Sequence, residues 1–147
     1  MLPHETQLCE HLSNLYVLMV KLHNFHWNVA GENFFTAHEK TEEMYHYVFK
    51  IIDETAERIQ QLGIYPPSSM KSFLEQKDTQ IKEAEARQYS EMEVYKELLK
   101  DFESIISILN ETIKNSNLKN DEATSDMLVE QLKQFEKYRW TMEASLS

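Results

Sequence analysis

The sequence has few of the residues that make sharp turns and cross-links. Of its 147 residues, two are glycine, three are proline and one is cysteine. An all-β domain needs glycine and proline at many turns, so these counts favour long helices with few connections. The single cysteine, Cys9, excludes an internal disulfide and fits a reducing compartment.

Long apolar runs and basic tails are also absent. No stretch approaches about 18 consecutive apolar residues, so no span of a bilayer and no membrane partner is expected. The N-terminus lacks the pattern of a secretory signal, which predicts a cytoplasmic protein. The net charge is −10, from 15 basic and 25 acidic residues, and no lysine or arginine precedes Lys21 or follows Arg139. Such a surface repels nucleic-acid phosphates and attracts cations.

Apolar spacing predicts a helical domain that occupies residues 1–147. The first helix is expected to begin near Pro3 and to end at Gly31. Asn33 is expected to cap the second helix, which ends at Gly63. The apolar stripe of the first helix consists of Leu8, Leu12, Leu15, Met19 and Leu22. The second helix is expected to bury Phe35, Tyr45, Phe49, Ile52, Ala56 and Ile59.

A long connection follows, in which Ser68 or Ser69 is expected to cap one short helix ending at Glu75. Ser90 and Glu93 form a capping box that begins the third long helix.

That helix is expected to end within residues 115–120. Asp121 and Glu122 are expected to fill the first turn of the fourth long helix, where acidic groups suit the helix dipole. Two antiparallel helix pairs joined by a long crossover give an all-α, ferritin-like four-helix bundle with a short helix in the crossover connection.

Histidine and acidic residues are concentrated on the first two helices, and such mixed ligands suit iron, zinc or manganese. A diiron centre inside one bundle needs Glu-x-x-His on two helices. The chain has one such motif, from Glu43 to His46, and no later histidine. That centre is therefore not expected, and the ordinary interpretation of the motif is a solvated surface pair.

Two other pairs on the second helix have a spacing of four and so share a face: His38 with Glu42, and Asp53 with Glu57. His38 and Asp53 are separated by roughly 22 Å along a helix, which is too far for one metal ion.

Two copies of this helix packed antiparallel about a two-fold axis near Tyr45 or His46 would bring His38 of one chain opposite Asp53 of the other. Spacing alone leaves the alternative that all these residues are ordinary surface pairs. His26 and its neighbour Trp27 likewise have an ordinary interpretation, which is packing at the edge of the core.

Several segments together resemble the Dps-type miniferritins. They are residues 21–29 (KLHNFHWNV), Gly31, 33–35, 38–39, 53–59 (DETAERI), 62–63, 126–128, 136–137 and Trp140. The resemblance covers nearly the whole chain and is densest from Lys21 to Gly63. It implies a hollow homo-dodecamer with an intersubunit ferroxidase centre at each two-fold interface.

The resemblance also implies the ligands of that centre. His26 and His38 would come from one subunit and Asp53 and Glu57 from its partner, with Glu42 at a further ligand position where the family often has Asp. The implied reaction is oxidation of Fe(II), preferably by hydrogen peroxide and more slowly by oxygen, with storage of ferric mineral; zinc or manganese could substitute for iron. Trp27 is a candidate electron donor, with packing as the alternative role.

By the same resemblance, Asp121, Asp126 and Glu130 match acidic pore residues, although Asp121 could equally be a helix-terminal residue. The family name points to DNA protection, and a nucleoid-binding protein is the alternative function. The missing basic tail and the negative charge predict weak or no direct DNA binding. A helical interaction module with incidental metal ligands is a third interpretation.

Overall fold

The computed structural model describes all 147 residues and contains five helices. They are α1 (Pro3–Asn28), α2 (Phe34–Gln61), α3 (Met70–Gln76), α4 (Glu91–Leu118) and α5 (Glu122–Leu146). Helix α1 packs against α2, α3 and α4, and α4 packs against α5. The four long helices form the bundle and α3 lies in the crossover, which confirms the predicted architecture. None of the helices is both long and apolar enough to cross a membrane.

The apolar stripe of α1 lies in the core as predicted, since all five of its members are buried. On α2 the prediction is wrong for two of its six residues, and Tyr45 and Ala56 are partly buried. Ile52 and Ile59 are buried, but Phe35 and Phe49 are 77% and 71% exposed. The core side of α2 is formed by another stripe, consisting of Ala37, Thr41, Met44, Val48, Ile51, Ile52, Thr55 and Ile59. The two phenylalanines are therefore large apolar groups that the core of the chain does not cover.

Helix α1 ends at Asn28, three residues before the expected glycine. The backbone N–H of Ala30 donates to the carbonyl oxygen of Tyr89 (2.9 Å), and the N–H of Tyr89 donates to that of Asn28 (3.1 Å). These two bonds to the crossover hold the backbone after Asn28 extended. Gly31 instead supplies a positive φ of 126° in the loop that leads to α2.

Capping was predicted with mixed success. Ser69 caps α3, and Ser90 forms the expected reciprocal capping box with Glu93 at the start of α4. Asn33 occupies the cap position of α2 without a capping bond, and its amide instead donates to a carboxylate of α4. Helix α4 ends at Leu118, which lies within the expected range of residues 115–120.

Candidate metal centre

His26, in the last turn of α1, and His38, in the second turn of α2, form the centre of the candidate site. The short α1–α2 loop brings their rings together, stacked with centroids 3.7 Å apart and planes 16° apart. The Nδ1 of His26 lies 2.7 Å from the carbonyl oxygen of His38. The Nδ1 of His38 lies 2.8 Å from the carbonyl oxygen of His26.

This reciprocal pair fixes the tautomer of both imidazoles. A carbonyl oxygen only accepts, so each Nδ1 must carry the hydrogen and donate it. The Nε2 of each neutral ring then keeps its lone pair, which is the form that ligates a metal ion. A hydrogen bond from Nδ1 to a carbonyl oxygen orients a metal-binding histidine and raises its basicity. The Nε2 atoms of the pair are therefore the nitrogens that could bind a metal ion, and His26 is only 6% exposed.

Thr41 supports the same arrangement from the next turn of α2. Its hydroxyl donates to the backbone of its own helix and lies 3.1 Å from Nδ1 of His26, from which it accepts. The buried threonine therefore fixes the ring of His26 from a second direction.

The acidic residues expected in the centre lie elsewhere on α2. Asp53 and Glu57 are exposed and line a groove of about 810 Å³ between α2 and α5. The chain contains no group of three or more histidine, cysteine, aspartate or glutamate side chains placed to hold one metal ion. One chain therefore joins the two histidines to each other but does not bring Asp53 or Glu57 to them.

Glu42 is exposed one turn beyond His38. The hydroxyl of Tyr45 lies 3.5 Å from Oε1 of Glu42, and its ring meets that of His26 edge-on with centroids 5.2 Å apart. Desolvation and the nearby carboxylate of Glu42 raise the pKa of the Tyr45 hydroxyl. Glu42 thus lies on the histidine side of α2.

Trp27 is 68% exposed, so its side chain lies outside the core, in contrast to the neighbouring Phe25, which is fully buried. The indole stacks on His23, with ring centroids 5.3 Å apart and planes 2° apart. The tryptophan therefore contacts His23 on the helix surface and is not part of the core.

Asp121 caps α5 and is bound by donors from three helices. Its carboxylate accepts from Nη2 of Arg58 (2.8 Å), from Nε2 of His4 (3.0 Å) and from the hydroxyl of Thr124 (2.6 Å). Burial raises the pKa of Asp121, but hydrogen bonds from Thr124, Arg58 and His4 outweigh it and lower that pKa to about 2. These contacts favour the helix-terminal role for Asp121.

The other two acidic residues matched to a pore are exposed. Asp126 has no ion-pair partner, and Glu130 pairs only with Lys133 at 3.3 Å on the same helix. Both carboxylates are available to solvent cations.

Sequence reasoning missed a buried polar chain through the bundle. The Nε2 of His11 donates to Oε1 of Gln131 (2.7 Å), and Nε2 of Gln131 donates to the hydroxyl of Thr55 (3.1 Å). Burial lowers the pKa of His11 to about 4. The sequence signal that could have revealed the burial of His11 is its position. It lies seven residues after His4, on the same side of α1 as the apolar Leu8.

It also missed a buried ion pair between α1 and α4. Nζ of Lys21 lies 2.7 Å from Oδ2 of Asp101, and both side chains are 2% exposed. Burial raises the pKa of Asp101 to about 6, and the charge of Lys21 opposes that rise.

Comparisons with known proteins identify the family of the chain. Residues 5–147 match the model of the ferritin-like domain. The DNA protection during starvation protein of Helicobacter pylori is 33% identical over 142 residues, covering 96% of this chain and 97% of that protein. The protein of the same name from Brevibacillus brevis is 41% identical over 135 residues, with 92% and 89% covered.

Solved structures give the same result. The crystal structure of a Dps protein from Bacillus brevis superposes with a TM-score of 0.93 at 39% identity, covering 98% of this chain and 95% of that one. A Dps protein from Vibrio cholerae, described as a member of the ferritin-like diiron-carboxylate proteins, gives a TM-score of 0.91 at 26% identity over 98% of this chain and 89% of that one. Such relatives support iron storage and stress protection as the general role. The chain belongs to the ferritin-like family, as a protein of the DNA-protection-during-starvation (Dps) type.

Proposed function

We propose that this protein oxidises Fe(II), preferably with hydrogen peroxide, at sites shared by two subunits, and stores the ferric product inside a hollow dodecamer. The observation that carries this proposal is the reciprocal hydrogen bonding of His26 and His38. It leaves the Nε2 lone pairs of two stacked rings free, and the chain gathers no group of three or more ligand side chains around one ion.

The missing carboxylates are those of a partner copy. Antiparallel packing of two α2 helices about an axis between Tyr45 and His46 would place Asp53 and Glu57 of the partner subunit opposite the histidine pair. The arrangement is self-complementary, so each dimer would hold two equivalent sites. Glu42 would add a further oxygen ligand from the histidine side.

The surface around that axis is suited to contact with a second copy. A groove of about 450 Å³ between α1 and α2, here called the α1–α2 face, is lined by Tyr16, Met19, His23, Tyr45, His46, Phe49 and Ile52. Its lining is predominantly apolar, and Phe49 is 71% exposed. Exposed apolar patches of this kind mark interaction sites. The patch is centred on the residues at which the ligand spacing places the axis.

The chemistry follows from the ligands. Two Fe(II) substrate ions each give one electron to one peroxide molecule, whose O–O bond breaks and which takes up two protons to leave as two waters. The carboxylates of Asp53, Glu57 and Glu42 stabilise the higher charge of the ferric product, and the neutral imidazoles leave positions open for the oxidant. Zinc or manganese fits the same nitrogen and oxygen donors. Consumption of peroxide in this way would protect the cell from oxidative damage.

Cation supply and electron supply have candidate residues as well. The exposed Asp126 and Glu130 would line an entry pore, because carboxylates in a narrow channel concentrate cations. Reduction of peroxide to two waters takes two electrons, and a single Fe(II) ion supplies one. Trp27, exposed and adjacent to His26, would supply the second. A fully active Trp27→Phe variant that gives no transient tryptophan radical would remove that role.

The names of the relatives raise direct DNA binding as a second function. The charge of −10 and the absence of basic residues before Lys21 and after Arg139 oppose it. Protection of DNA would then be indirect, through removal of iron and peroxide.

The test compares Fe(II) oxidation after addition of limiting hydrogen peroxide. We expect fast oxidation by the native protein and a large loss in Asp53→Ala, with the assembly intact by light scattering. Glu54→Ala is the matched control, because it removes the neighbouring exposed carboxylate, and it should retain the native rate. Equal, slow oxidation in all three proteins would overturn the ferroxidase proposal.

A further inference from the structure

Two histidines of the α1–α2 face take no part in the candidate iron site. His23 of α1 and His46 of α2 both contact Tyr45, with ring centroids 4.6 Å and 4.7 Å from its ring. Both line the groove whose other walls are mainly apolar. Their imidazoles are therefore the nitrogen ligands available in this surface.

The ring nitrogens of these two residues are unpaired. The other four histidines of the chain each make a hydrogen bond through a ring nitrogen. Neither His23 nor His46 makes a hydrogen bond or an ion pair within the chain. Covering the face with a second copy would bury these nitrogens, and a buried polar group without a partner is unfavourable. A dimer formed through this face therefore requires a partner for them.

The position of His46 determines what that partner can be. If His38 lies opposite Asp53 of the partner subunit, the axis crosses α2 between Tyr45 and His46. Both copies of His46 then lie next to the axis and, by the symmetry, on the same side of the plane that holds the two helices. Packed helix axes are separated by about 8–10 Å, a distance that two imidazoles can bridge through one ion.

We propose that His46 of two subunits binds one divalent transition metal ion on the dimer axis, with His23 of each subunit as additional nitrogen ligands. Neutral imidazole is a good ligand for Zn²⁺ and its neighbours in the first transition series, whereas Mg²⁺ and Ca²⁺ prefer oxygen. The inference rests on the dimer of the proposed function. It adds to that function an interface metal that links subunits and takes no part in iron oxidation.

Zn²⁺ is the probe, measured by equilibrium dialysis of the assembled protein. We expect the His46→Gln variant to lose one Zn²⁺ per two chains relative to the native protein. Glu103→Gln, which changes an exposed residue of α4, should lose none. Native crystals soaked in Zn²⁺ give a second measurement that needs no variant: an anomalous peak between the two His46 side chains.

Unchanged Zn²⁺ stoichiometry in an assembled His46→Gln protein would overturn the inference, as would two His46 rings bonded directly to each other with no peak. These results would leave the ferroxidase proposal intact if Asp53→Ala is still inactive. A protein that stays monomeric by light scattering would refute the inference and the intersubunit iron site together.

Discussion

The buried His11 should make the bundle sensitive to mild acid. Its side chain is fully buried, Nε2 donates to Gln131, and Nδ1 has no partner. Protonation of Nδ1 would therefore place a positive charge in the core, and the added hydrogen would have no acceptor. Burial lowers the pKa of His11 from 6.5 to about 4.

The sign and size of the effect follow from proton linkage. Between pH 6.5 and 4 the unfolded chain binds a proton at His11 that the folded chain does not, so folding stability falls as the pH falls. At about 1.4 kcal/mol per pH unit, the lowered pKa corresponds to about 3 kcal/mol per chain lost by pH 4. The stability is fully present above about pH 6.5.

The assay is urea unfolding of the native protein and His11→Gln at pH 7 and pH 4, at one protein concentration. Glutamine does not titrate, so the variant should lose about 3 kcal/mol less on acidification than the native protein. All other titrating groups are common to both proteins and cancel in this comparison. Equal losses within about 0.5 kcal/mol would refute the reasoning.

Three further predictions concern the core and the surface. Asp101→Ala removes the carboxylate nearest to the buried Lys21 and leaves only Glu97, whose Oε2 lies 3.7 Å from Nζ. The variant should be less stable by about 3 kcal/mol in urea unfolding; a loss no larger than that of the surface variant Glu136→Ala would contradict this. Phe49→Glu puts a charge into the α1–α2 face and should reduce the mass of the assembly measured by light scattering. Tyr65→Glu, at an exposed site outside the face, should leave that mass unchanged. A native mass for Phe49→Glu would exclude this face as an interface. Gel shifts in about 0.15 M salt should show no tight DNA complex, and a clear shift would reverse the conclusion drawn from charge.

The architecture was accessible from sequence because it depends on local signals. Periodicity gave the stripe of α1, and Ser69 and Ser90 are caps that act through neighbouring residues. Gly31 was misplaced as a helix end because the end of α1 is set by hydrogen bonds to Tyr89, which is distant in sequence. Phe49 was assigned to the core because it is large and apolar, although a subunit interface requires the same kind of residue.

The site was accessible only in part, for similar reasons. Spacing showed that His38 and Asp53 cannot meet within one helix and so pointed to a second chain. The reciprocal bonds between His26 and His38 could not be predicted, since they depend on the packing of α1 against α2. Asp121 shows another limit of sequence reasoning. Its residue type fits a pore, but donors from three helices bind its carboxylate, and only the fold brings them together.

The central claim is that each iron site takes His26 and His38 from one chain and Asp53 and Glu57 from another. Mixed assemblies of His38→Ala and Asp53→Ala subunits test it most directly. Each variant alone should be inactive with limiting peroxide. In equal random mixtures half of the dimers are mixed and each carries one intact site, so about a quarter of the native activity should return. No recovery, in mixed shells shown to be assembled, would contradict the intersubunit centre.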